Sequence, residues 1–213
     1  MSNNNQDGYY GAASAGDSLT EFGAISFLVN QILNGRNVAT LAKVMAVTNA
    51  GGLESVGFVD VMPMVNHLDG DGNAVPNQTV RGLPYFRIQG GANAIILDPQ
   101  VGDIGVAIFA DRDISAVKAS KAISNPGSLR RSNKADGLFM CGWLNSAPSQ
   151  YVQFIGNSIN IVSPGKVTIT TPAIESSGAW AHTGTIKNNG KDIGSTHTHS
   201  GITPGGSNTG GPI

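Results

Sequence analysis

The sequence predicts a mainly β protein in two parts: a small barrel, then a β-segment too poor in core residues to fold alone. Three observations predict it. Glycine fills 29 of 213 positions, about twice average usage, while hydrophobic residues still reach 40%. Strand-like runs bounded by turn residues recur along the chain with no βαβ spacing. Charge is scarce and uneven: of 13 Lys+Arg and 14 Asp+Glu, only Lys166, Glu175, Lys187, Lys191 and Asp192 fall after residue 137. From Ile193 onward there is none.

The chain opens on a polar, Gly-rich arm, MSNNNQDGYYGAASAG. Asp17 or Ser18 can then cap a helix, with Glu21 three residues after Ser18 as capping-box partner. Phe22, Ile25, Leu28 or Val29, and Ile32 follow helical spacing, and Asn34-Gly35 stops the run. The helix packs either on a partner or on its own domain. Strand signals follow: Val38–Thr48, Val56–Met64, Leu83–Gln89, Ala94–Leu97 and Ile104–Phe109, with LDGDGNAVPNQTVRG as a long exposed loop. About five short strands in some 75 residues fit a small closed barrel such as an OB-fold, a small sandwich being the other solution.

Residues 113–149 read as a loop-rich connector with one strand near Leu138–Leu144. Its cluster Arg130-Arg131-Ser132-Asn133-Lys134 reads as a solvated loop rather than a site for an anionic partner. Beyond Gln150 the alternation is regular but thin. Val152 and Phe154, Ile159 and Ile161, Val167 and Ile169, then Ile174 are separated by short turns. Such a segment is too small and too apolar-poor to stand alone, and identical chains are the usual source of missing surface. An intertwined oligomeric β-structure is the expected result.

Composition excludes several functions. A formal net charge of -1 gives no basic face for nucleic acid, and aromatic residues for base stacking are only 6%. One cysteine, Cys141, rules out an internal disulfide framework and an all-Cys zinc site. The apolar stretch Ala24–Val29 is too short to span a bilayer and no Lys or Arg precedes it, so no signal peptide is expected. There is no Gly-x-Ser-x-Gly, no His-Glu-x-x-His and no phosphate loop, so the chain is not expected to be an enzyme.

The last feature is Ser195-Thr196-His197-Thr198-His199-Ser200-Gly201, followed by ITPGGSNTGGPI. In a strand, His197 and His199 point to one side. No Asp, Glu or Cys follows them, so one chain cannot complete a metal site there. Around a three-fold axis, two imidazoles per chain give six nitrogens. Imidazole suits Fe, Ni, Cu and Zn, and six-coordination disfavours Zn.

Two segments carry a resemblance. VGDIGVAIFADRDIS (Val101–Ser115) is similar to the last strand of the N-terminal OB domain in the baseplate central spikes of contractile-tailed bacteriophages and phage-tail-like bacteriocins. STHTHSGITPGGSNTGGPI resembles the His-x-His apex and Gly-rich end of the same family. The resemblance implies a homotrimer, an intertwined three-stranded β-helix, and one iron ion per trimer held by six histidines. His197 and His199 are then the metal ligands. It implies a partner in the baseplate hub or tail tube, reached through the N-terminal domain, and a target in the bacterial outer membrane. Its place would be the virion, at the tail baseplate tip.

The expected organisation is then an arm and short helix over 1–36, an OB-fold-like docking domain over 37–112 and a connector over 113–149. A trimeric β-helix spike over 150–194 and a metal-binding apex over 195–213 complete it. The competing reading is a trimeric receptor- or carbohydrate-binding fibre tip. His67 and His182 read as non-ligands, Asp69-Gly70-Asp71-Gly72 as an incomplete calcium loop, and Cys141 as a shielded apolar residue.

Overall fold

In the computed structural model, residues 20–49, 52–68, 73–194, 197, 201 and 205 are described. The chain is mainly β, with 34% strand and 12% helix. It divides into two compact units, Met1–Pro148 and Ser149–Ile213.

The first unit begins with helix α1 (Glu21–Asn34). Its cap is Thr20, whose Oγ1 accepts from the Gly23 N–H at 3.0 Å. The cap thus falls later than Asp17 or Ser18, which lie outside the described residues. Glu21 still sits in the first turn, where its charge complements the helix dipole.

Strands β1 (Ala39–Val47) and β2 (Phe58–Pro63) pair antiparallel, with Val44 opposite Val61. The register then shifts by one before Ala46 opposes Asp60, a bulge that bends β1. Two-residue strands β3 (His67–Leu68) and β4 (Ala74–Val75) pair across the DGDG segment, itself outside the described residues. Next come β5 (Val80–Pro84), the small hairpin β6 (Ile88–Gly90) and β7 (Asn93–Ile95), and β8 (Ile104–Phe109). A short helix α2 (Ser115–Ser120), a 3-10 turn (Lys134–Asp136) and β9 (Gly137–Cys141) end the unit.

Five strands form one sheet in the order β5-β2-β1-β8-β9, curled into a half-barrel. Its two edges meet where Tyr85 bridges Phe139 in parallel and the Phe86 N–H donates to the Phe139 carbonyl at 2.8 Å. The strand β9 comes from the segment expected to be a connector, so residues 113–141 help build the sheet rather than merely leaving it. Alternate residues of each strand face inward, giving a core of Val44, Val59, Val61, Leu83, Ala107 and Phe139 with their neighbours. Gly105 makes room for the Phe139 ring, because a Cβ there would collide with that ring and with the Met140 carbonyl.

The second unit contains two hairpins. Strands β10 (Tyr151–Ile155) and β11 (Ser158–Val162) pair with Val152 opposite Ile161 and Phe154 opposite Ile159. Strands β12 (Lys187–Asn188) and β13 (Lys191–Asp192) are joined by Asn189-Gly190, both at positive φ (50° and 79°). That is the turn Asn-Gly favours most, because both positions need left-handed backbone.

Candidate functional site

Pairing register decides what each face of β10–β11 presents. Val152, Phe154, Ile159 and Ile161 share one face, while Gln153, Ser158 and Asn160 share the other with Tyr151, Ile155 and Val162. The first face is wholly apolar. In the chain, Phe154 is 77% exposed and its three neighbours are exposed as well. No described residue of the second unit is buried. A lone two-stranded hairpin is marginal in water, so this one needs a surface laid against it.

Toward the C-terminal end the backbone is organised by short-range bonds. The Ile193 N–H donates to the Ile186 carbonyl at 2.9 Å, and the Gly194 N–H to Asp192 Oδ1 at 2.8 Å. The Gly194 carbonyl in turn lies 3.3 Å from the His197 N–H and 2.6 Å from His197 Nδ1. A carbonyl only accepts, so Nδ1 is the donor in this contact, and Nε2 is the nitrogen that would coordinate a metal. Metal-bound imidazoles show this arrangement, the second nitrogen orienting the ring through a backbone carbonyl. On this observation His197 fits a ligand role. His199 lies outside the described residues, so the pair is not brought together here. Among the described residues no group of three or more His, Cys, Asp or Glu gathers in one chain.

The first unit holds its charges differently. Arg87 donates from Nε and Nη2 to Asp98 Oδ1 and from Nη2 to Oδ2, all within 2.9 Å, and both side chains are buried. Its Nη1 also donates to the Glu54 carbonyl at 2.9 Å, tying three segments together. Arg130 bridges two buried carboxylates: Nε and Nη2 reach Asp136 at 2.7 Å, and Nη2 reaches Asp113 at 2.8 Å. The hydroxyls of Ser115 and Ser128, then the Ser115 N–H, hold the Asp113 carboxyl down to about 2. The Arg130 guanidinium foremost lowers Asp136 as well. Arg130 lies in an exposed loop, as expected, and from there its guanidinium reaches two buried carboxylates of its own chain.

The remaining candidates have local roles. His67 is exposed, its Nε2 lying 3.3 Å from Lys134 Nζ on the edge of a groove of about 570 Å³. No carboxylate, cysteine or serine lines that groove. His182 is exposed in the second unit. Cys141 is half-buried, and burial pushes its thiol up. No described helix is long and apolar enough to cross a membrane.

What the fold and geometry define is a mainly β chain with a self-contained half-barrel and a second unit of uncovered hairpins. No protein-family model matches it, and no curated protein does either.

Proposed function

We propose that this chain is a structural, membrane-piercing central spike at the tip of a contractile tail tube, working as a homotrimer without turnover. The observation that carries this reading is the apolar face of β10–β11, which the described residues leave exposed. Copies of the same chain would lay strands on one another there, forming the intertwined β-helix and leaving few free edges. The resemblance of Val101–Ser115 and of the His-x-His ending to baseplate spikes supports the same reading.

The half-barrel, an OB-like domain on this reading, would dock to the baseplate hub or tail tube. It folds around its own core, so it can hold a load without help from the spike. The end of the chain would be the tip. From Ile193 onward it carries no charge, which lowers the cost of entering lipid, where each ionised group is expensive. His197 and His199 of each copy would hold the metal, the Gly194 carbonyl fixing the His197 ring. When bound, an iron ion would cross-link three chain ends at one point, and binding available only to the assembled trimer stabilises it.

Light scattering and metal analysis test this together. Purified full-length protein should have three times the mass of the 21.9 kDa chain and carry iron at one ion per trimer. A His197→Ala/His199→Ala double variant should lose the metal. A monomer would overturn the spike reading, and stoichiometric metal retained in the double variant would overturn the ligand assignment. A metal-free trimer that binds a glycan would instead be a fibre tip.

A further inference from the structure

Helix α1 carries a stripe that the described residues leave exposed. Phe22, Ile25, Leu28, Val29, Ile32 and Leu33 are all exposed, Phe22 by 80% and Ile32 by 69%. A 14-residue helix is marginal alone in water, so most of its stability must come from packing that stripe. We propose that α1 packs against the α1 helices of two further copies of this chain, forming a short three-helix seam at the N-terminal end.

The spacing points to self-association. Phe22, Ile25, Val29 and Ile32 fall three, four and three residues apart, the a-d-a-d pattern of two heptads. Three of these four positions are β-branched, with isoleucine at both d positions. Isoleucine at d favours three or four strands over two. The flanking g and e positions, Leu28 and Leu33, are apolar as well, widening the stripe beyond the narrow a/d seam of a dimer. Charge offers no alternative code. Glu21 is the only ionisable residue in the helix, so α1 lacks the charged e and g positions that select a different partner.

Two heptads are too short to hold three free helices together. The seam therefore rests on the trimer proposed above, whose hairpins would hold three copies of α1 at high effective concentration. It would add a second clamp in the other unit, at the opposite end of the sequence from the histidine pair.

Cysteine cross-linking of the full-length protein tests this. Ile25→Cys, and separately Val29→Cys, place a thiol in the seam. Asn30→Cys places one outside the stripe on the same helix, and the wild-type chain, with only Cys141, sets the background. Under mild oxidation the Ile25 and Val29 variants should form disulfide-linked dimers, involving about two of every three copies. The Asn30 variant and wild type should remain uncross-linked. Light scattering on the same samples separates the two readings. A trimer in which neither seam cysteine cross-links overturns the helical seam, leaves the trimer standing and assigns the stripe to a partner of different sequence. A monomer without cross-links overturns both.

Discussion

Val44 and Phe154 are set in strands of similar apolar alternation, yet Val44 is wholly buried and Phe154 is largely exposed. The difference lies in what faces each strand. Val44 belongs to a five-stranded sheet and shares its core with nine other buried hydrophobic side chains among the described residues. Around Phe154 the described residues supply one antiparallel neighbour and leave the side chain exposed. Period-two patterning therefore specifies a strand and its apolar face, but not where the cover comes from. In the first unit the cover is intramolecular; in the second, on our reading, it is another copy.

The sharpest way to break this comparison is to charge the uncovered face. Phe154→Asp should turn the trimer into a monomer while leaving the first unit folded. Losing the burial of this side chain costs about 2 kcal/mol in each copy, and a three-fold assembly loses it three times. Hydrogen exchange separates the units. In the wild type, residues 151–162 should be protected, although a single chain leaves them open. In the variant that protection should vanish, while residues 39–47 keep theirs. Unchanged protection and mass would mean that Phe154 faces solvent in the assembly, and the second unit would need another explanation.

The complementary variant attacks the half-barrel. Phe139 is fully buried, lies over Gly105, and sits where the two sheet edges meet. Phe139→Ala should cost about 3–5 kcal/mol, the usual range for truncating a fully buried aromatic side chain. The loss should appear as a lower urea midpoint and faster exchange in residues 39–47 and 104–109. Residues 151–162 should stay protected if the second unit owes its stability to other copies. Simultaneous loss in both would show that the two units unfold as one.

What the sequence disclosed follows the same division. The helix over Glu21–Asn34 and the strand Ile104–Phe109 were legible because periodicity and turn residues are local signals. The stretch Leu83–Gln89 reads as one strand but is two, β5 and β6, separated at Tyr85–Arg87. There the Phe86 N–H turns to Phe139, and Arg87 turns inward to Asp98, both partners being remote from a local pattern. Arg130 is the same case, since Asp113 is seventeen residues away and Asp136 six. The β12–β13 hairpin did have a signal, Asn189-Gly190, overshadowed by its polar strands. For the candidate site, composition and spacing single out His197, but only the geometry adds the Gly194 carbonyl that accepts from its Nδ1. His199 stays at the level of sequence.

The smallest expected effect concerns pH, and it should separate the units once more. Asp113 is held near 2 in the folded state against an ordinary 3.8, and Asp136 is displaced in the same direction. A carboxyl depressed by folding stabilises the fold above its ordinary value, and that contribution is lost as pH falls toward the folded value. The first unit should therefore keep a constant urea midpoint down to about pH 4 and lose stability between pH 4 and pH 2. Ser128→Ala removes a hydroxyl that donates to Asp113 Oδ2 at 2.7 Å, so the Asp113 carboxyl should titrate closer to its ordinary value. NMR of the Asp113 carboxyl carbon would read that shift directly, with a smaller acid-dependent fall in the midpoint beside it. The hairpin β10–β11 has no ionisable residue besides Tyr151, so its hydrogen-exchange protection should follow trimer mass rather than this carboxylate titration. If protection of 151–162 instead fell through the same pH window while the mass stayed trimeric, the hairpin would depend on the carboxylate network of the half-barrel, and the separation drawn between the units would fail.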